Sequence, residues 1–126
     1  MRKFVETKDA PKALASYSQA TIYEGKLLFA AGQIGLDPET GVLVKGGIGP
    51  QMERCMENLK AVLEAGFTSF EKVLKATVYL VNIKDYATIN EIYARYMGEE
   101  LPARATVQVA GLPMGALVEV ECIAGY

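Results

Sequence analysis

With 126 residues, 51% of them hydrophobic and 22% charged, the chain can bury roughly two-thirds of its unfolded surface, so a single self-sufficient domain over 1–126 is expected. A formal charge of -2 and a pI near 5.2 argue against a nucleic-acid binder, which needs a basic surface to neutralise phosphates. Histidine is absent, which excludes imidazole-based triads, His-ligated zinc and histidine general acids.

At the N-terminus, Met1 to Glu6 contains no apolar run of signal-peptide length, and a first strand is expected around Lys3 to Glu6. Thr21 to Phe29 reads as two strands around a Glu24-Gly25 turn, glycine supplying the positive φ of a tight hairpin. After Gly32 the chain enters the turn cluster Leu36 to Gly41, and Gly46 to Pro50 closes the loop region. From Gln51 to Ala65 the apolar residues Met52, Cys55, Met56, Leu59, Val62 and Leu63 follow the spacing of one buried helical stripe, stopped by Gly66.

Ala76 to Val81 is β-branched and aromatic, as a buried strand should be. Asp85 is placed to cap a second helix with the stripe Tyr86, Ile89, Ile92, Tyr93 and Tyr96, closed by Gly98. Ala103 to Val109 and Leu117 to Ala124 read as the last two strands, joined through Gly111 to Gly115. The order βββαβαββ predicts an α+β fold in which two helices cover one face of a mixed sheet. Tyr79 and the apolar residues of the last strands make the other face too hydrophobic to stay wet, so self-association and clefts between subunits are expected.

Cys55 and Cys122 lack any Cys-x-x-Cys pattern and read as buried free thiols of a reducing compartment, the cytoplasm. No segment approaches the length of a membrane span, and neither metal nor cofactor is expected.

Arg104 is the costly residue, a planar guanidinium on an apolar strand suited to bidentate capture of a carboxylate. Strand alternation puts Arg104, Thr106 and Gln108 on one face, and Leu117, Glu119, Glu121 and Ile123 on one face of the last strand. If the two strands form a hairpin, Arg104 lies opposite Glu119 or Glu121, a two-residue shift that leaves every face unchanged. A plain ion pair would account for the arginine without any ligand.

Six motifs follow in order along the chain: Asp9-Ala10-Pro11, Ser16-Tyr17-Ser18-Gln19-Ala20, Ala31-Gly32-Gln33-Ile34, Asn58-Leu59-Lys60-Ala61-Val62-Leu63, Tyr86-Ala87-Thr88-Ile89-Asn90 and Pro102-Ala103-Arg104. Together they make the chain resemble the RidA/YjgF family of reactive intermediate deaminases over essentially its whole length. The run from Pro102 to Val120 is similar to that family's signature segment.

The resemblance implies a chorismate-mutase-like homotrimer with sites at subunit clefts. It implies hydrolysis of 2-imino and enamine acids, such as 2-aminoacrylate and 2-iminobutanoate, to 2-keto acids and ammonia. By position, Arg104 would clamp the carboxylate and Glu119 would hold the attacking water. Tyr17, Ala31, Gly32, Asn90 and Thr106 would line the pocket. Ser16, Ala31 and Thr106 stand where the family usually has proline, serine and cysteine. Non-catalytic binding of 2-keto acids is the alternative, with ribonuclease or translation-inhibitor activity ranked below it.

Overall fold

The computed structural model describes residues 1–126. Strand β1 (Arg2–Val5) pairs antiparallel with β2 (Ala20–Tyr23) in a small sheet of their own. The main sheet takes β3 (Leu28–Ile34), β4 (Val73–Leu80), β5 (Ala103–Gln108) and β6 (Val118–Ala124) in the order β3-β6-β4-β5. Helices α1 (Ile48–Ala65) and α2 (Tyr86–Met97) cover one face. The expected α+β class, element order and mixed sheet are all present.

The hairpin expected around Gly25 is not, nor is the one considered for the last two strands. Strands β2 and β3 flank the Gly25 turn, at φ 144°, yet each pairs elsewhere, β2 with β1 and β3 with β6. Strands β5 and β6 are not neighbours either. β5 runs parallel to β4 at the sheet edge, and β6 inserts antiparallel between β3 and β4. Parallel neighbours need a crossover, and α2 supplies it between β4 and β5. Burial explains why β6 is the inner strand. Val118, Val120, Cys122 and Ala124 are all buried, whereas β5 ends in the exposed Val107 and Gln108.

The core lies between sheet and helices. Met52, Cys55, Met56, Leu59 and Leu63 of α1 and Ile89, Ile92, Tyr93 and Met97 of α2 meet Ala76, Val78, Leu80, Val118 and Val120. Each fully buried aliphatic contributes about 1.5–3 kcal/mol. Helix α1 starts three residues before the expected Gln51. At its end Gly66 has φ -87°, and the left-handed residue is Phe67 at φ 64°. Gly66 is glycine for a different reason: a Cβ there would run into Leu28 Cδ1. Asp85 sits at the N-cap of α2 without a side-chain cap bond, whereas Asn82 Oδ1 accepts from Lys84 N at 3.0 Å just before it.

Cys55 and Cys122 are free and buried. Burial, reinforced at Cys55 by the nearby Glu119 charge and at Cys122 by Glu121, pushes both thiols up to about 12, so neither is a ready nucleophile. No helix is long and apolar enough to cross a membrane, and no three His, Cys, Asp or Glu side chains form a metal-holding group.

Candidate functional site

Arg104 pairs in register with Ala76, so its side chain rises from the edge strand toward the helix layer. There it meets Tyr86, Asn90 and Tyr93, spaced i, i+4 and i+7 on one face of α2. Arg104 Nη1 donates to Asn90 Oδ1 at 3.0 Å, and Nη2 donates to the Tyr86 hydroxyl at 2.9 Å. The guanidinium carbon lies 4.8 Å from the Tyr93 ring centre, 5.5 Å from Tyr86 and 5.8 Å from Tyr17. That is an aromatic cage of the kind that stabilises a cation.

The loop before β2 joins the cluster. Asn90 Oδ1 also accepts from Ser16 N at 3.4 Å, and the Tyr17 hydroxyl accepts from Leu14 N at 3.2 Å. Thr106 is two residues along β5 on the Arg104 face, and its Oγ1 is buried without a partner, as is the Tyr93 hydroxyl. Burial pushes the Tyr93 phenol well above its ordinary value, against the opposing pull of the Arg104 charge.

Arg104 as a residue is 9% exposed, yet no carboxylate answers its guanidinium. The chain's ion pairs are Arg2–Glu100 and Arg95–Glu53. A buried charge without a counterion is expensive. Of the five N–H donors of an arginine, two are engaged within the chain. The other three make no hydrogen bond within the chain.

The expected partnership of Arg104 with Glu119 or Glu121 does not exist within one chain. Glu119 pairs in register with Tyr79 and Ile34, and its neighbours Val118 and Val120 are fully buried on the helix side. Its carboxylate therefore stands on the opposite, open face of the sheet. Glu121 shares that face and accepts the Tyr79 hydroxyl, a bond that raises the Tyr79 phenol above its ordinary value. Glu119 accepts no such bond, so of the two glutamates it is the free one.

Gly32 is what gives Glu119 room. A bulge interrupts β3–β6 pairing between Ala30 and Gln33, and the Glu119 carboxylate lies over the Gly32 backbone. A Cβ at Gly32 would meet Glu119 Oε2 and stand 2.7 Å from its Cδ. The obstructed atoms are the mobile end of a side chain, so Gly32→Ala is expected to displace the carboxylate rather than unfold the sheet. Any reaction that relied on the placement of this carboxylate should slow by about tenfold or more with a nearly unchanged melting temperature, the loss that a misplaced group brings. Steady-state kinetics and a thermal melt check both halves. Ala31 beside it is exposed.

The residues named from sequence thus separate into two half-sites. Arg104, Tyr17, Asn90 and Thr106 belong to the helix side, and Glu119, Gly32 and Ala31 to the open face. Sequence reasoning had counted Tyr86 and Tyr93 as core aromatics; their i, i+4, i+7 register with Asn90 was the available signal for more. Among the principal clefts of the chain, up to about 440 Å³, none is lined by Arg104 or Glu119.

A family model described as endoribonuclease L-PSP matches residues 7–126. A RutC family protein of Pyrococcus horikoshii is 49% identical over 98% of each chain. The 2-iminobutanoate/2-iminopropanoate deaminase of Rattus norvegicus is 44% identical over 98% of this chain and 90% of its own. The crystal structure of RidA from the Antarctic bacterium Psychrobacter sp. PAMC 21119 superposes with a TM-score of 0.78 at 41% identity, covering 98% of this chain and 99% of the other. Matched along nearly its whole length in both sequence and fold, the chain belongs to the endoribonuclease L-PSP family, which is the RidA/YjgF family.

Proposed function

We propose that the protein hydrolyses small 2-imino acids, 2-iminobutanoate and 2-iminopropanoate, to 2-keto acids and ammonia, and that it does so as a homotrimer with its sites between subunits. The observation that carries this reading is the buried Arg104 guanidinium, caged by tyrosines and lacking a carboxylate. The names of relatives at 40–44% identity support the reaction class.

The chemistry asks little of the protein. An imine carbon is already electrophilic, so fixing the carboxylate and placing a water about 3 Å from C2 supplies most of the catalysis. The free N–H groups of Arg104 grip the substrate carboxylate, with Tyr17 and Asn90 beside them and Thr106 on the same strand face. Glu119 accepts a proton from water as the oxygen adds to C2, and returns a proton to nitrogen. Collapse of the carbinolamine expels ammonia and leaves the ketone. An enamine such as 2-aminoacrylate enters the same route once protonation at C3 converts it to the imine.

Opposite-face placement of Arg104 and Glu119 supports an assembly in which one subunit lends the arginine and its neighbour the glutamate. The open face is suited to cover, since it presents Phe29 at 70% exposure and Val107 at 42%, together with Tyr79 and Ile123. Two unpaired buried thiols fit a reducing compartment such as the cytosol. RNA cleavage has no histidine to draw on and an overall negative charge to overcome.

The test generates 2-iminobutanoate in situ and follows its disappearance. The protein is expected to shorten the lifetime of the imine at catalytic concentration. Decay that stays at the buffer rate, while an active relative accelerates it in parallel, overturns the reading. Calorimetric binding of 2-ketobutyrate without turnover would then assign the site to carboxylate binding alone.

A further inference from the structure

A guanidinium at a strand edge has long, mobile leverage, and its usefulness as a two-pronged clamp depends on how firmly its plane is held. Three α2 side chains surround it, but they do different things. The Tyr93 ring lies under the cation, and its hydroxyl touches nothing polar. Asn90 Oδ1 holds Nη1 but divides itself with Ser16 N. Tyr17 spends its hydroxyl on Leu14 N. The only hydroxyl bonded to the guanidinium is that of Tyr86, which accepts from Nη2 at 2.9 Å.

We propose that Tyr86 is a positioning residue for carboxylate recognition, its hydroxyl fixing the plane of the Arg104 fork so that one N–H on each terminal nitrogen points outward together. This rests on the deaminase reading for its substrate, and it goes further by assigning a role to a residue outside the expected pocket. With Nη1 anchored by Asn90 and Nη2 by Tyr86, rotation about the last side-chain bonds is stopped at both prongs. With Asn90 alone the fork pivots. Phenylalanine at this position would keep the ring, 5.5 Å from the cation, and remove only the second anchor.

The variant Tyr86→Phe therefore isolates the hydroxyl. The measurements are KM and kcat for 2-iminobutanoate generated in situ, the calorimetric Kd of 2-ketobutyrate, and a thermal melt. Expected are rises of about tenfold in KM and Kd, the scale of one hydrogen bond to a charged group, with kcat within about twofold and the melting temperature unchanged. Unchanged KM and Kd overturn the proposal, and so does a fall in kcat at constant KM, which would place Tyr86 in the chemistry instead. A wild type that binds 2-ketobutyrate in a Tyr86-dependent way but hydrolyses no imine sinks the deaminase reading and leaves the positioning role standing. A wild type that hydrolyses the imine, with KM and Kd unchanged in Tyr86→Phe, does the reverse. Failure of the wild type both to bind and to turn over removes both.

Discussion

Replacing Arg104 with methionine is expected to abolish imine hydrolysis while leaving the protein at least as resistant to heat as the wild type. The activity loss follows from the clamp. Two charge-assisted bonds to a carboxylate, at about 1.5–3 kcal/mol each, correspond to a fall of roughly 10²–10⁴ in kcat/KM. The stability outcome follows from the missing counterion. In a residue 9% exposed, with two neutral acceptors and three rings for company, the guanidinium is largely withdrawn from water without a carboxylate to repay it. Methionine fills a similar volume and needs no partner. Asn90 retains its bond from Ser16 N. Kinetics with 2-iminobutanoate and a calorimetric melt decide the matter. Retained activity would remove Arg104 from the site, and a melting temperature lowered by more than about 5 °C, roughly 1–2 kcal/mol for a domain of this size, would make it a structural residue.

Mixing two dead variants should restore activity. Arg104→Ala keeps the Glu119 half-site, and Glu119→Gln keeps the Arg104 half-site; each alone is expected to retain under about 1% of wild-type turnover, the cost of losing a positioned clamp or base. If each site draws its arginine from one subunit and its glutamate from the next, random co-assembly at equal amounts rebuilds about one site in four. Co-refolded or co-expressed protein should therefore recover about a quarter of wild-type activity. A mixture as inactive as its components, in verified mixed oligomers, would mean that both residues serve one site from one chain, and the opposite-face geometry argues against that.

Periodicity located both helices and placed the strands within a few residues, because burial of one stripe or one face leaves its mark on residue order. Strand pairing left no such mark. Val118 and Val120 are equally apolar whether β6 lies at the edge beside β5 or is enclosed between β3 and β4. A glycine-rich connection such as Gly111 to Gly115 suits a hairpin as well as a longer passage. The face of Arg104 along its strand was legible, since parity settles it, but the layer facing it was not. Placing Arg104 and Glu119 on opposite sides of the sheet required the β4–α2–β5 crossover, which is a property of the whole fold. The family motifs name residues that the fold gathers into two clusters, Arg104 with Tyr17 and Asn90 and Glu119 with Gly32, because a motif keeps its members together without regard to strand pairing. Tyr86 escaped for the opposite reason: an aromatic on a helical stripe has the same signature in a core as beside a cation.

Helix α2 serves two clients along adjoining strips. Ile89, Ile92 and Met97 anchor it in the core, and Tyr86, Asn90 and Tyr93 grip Arg104 from the same turns. Tyr93 does both. The depth at which α2 sits is therefore a setting of the clamp as well as of the core. A conservative repacking at Ile89 or Ile92 that slides the helix by a fraction of an ångström would be absorbed by the adaptable Met97, but not by two directional hydrogen bonds to a planar group. Drift in the interior of this protein would register first in how the Arg104 guanidinium is aimed, before any change in how well it folds.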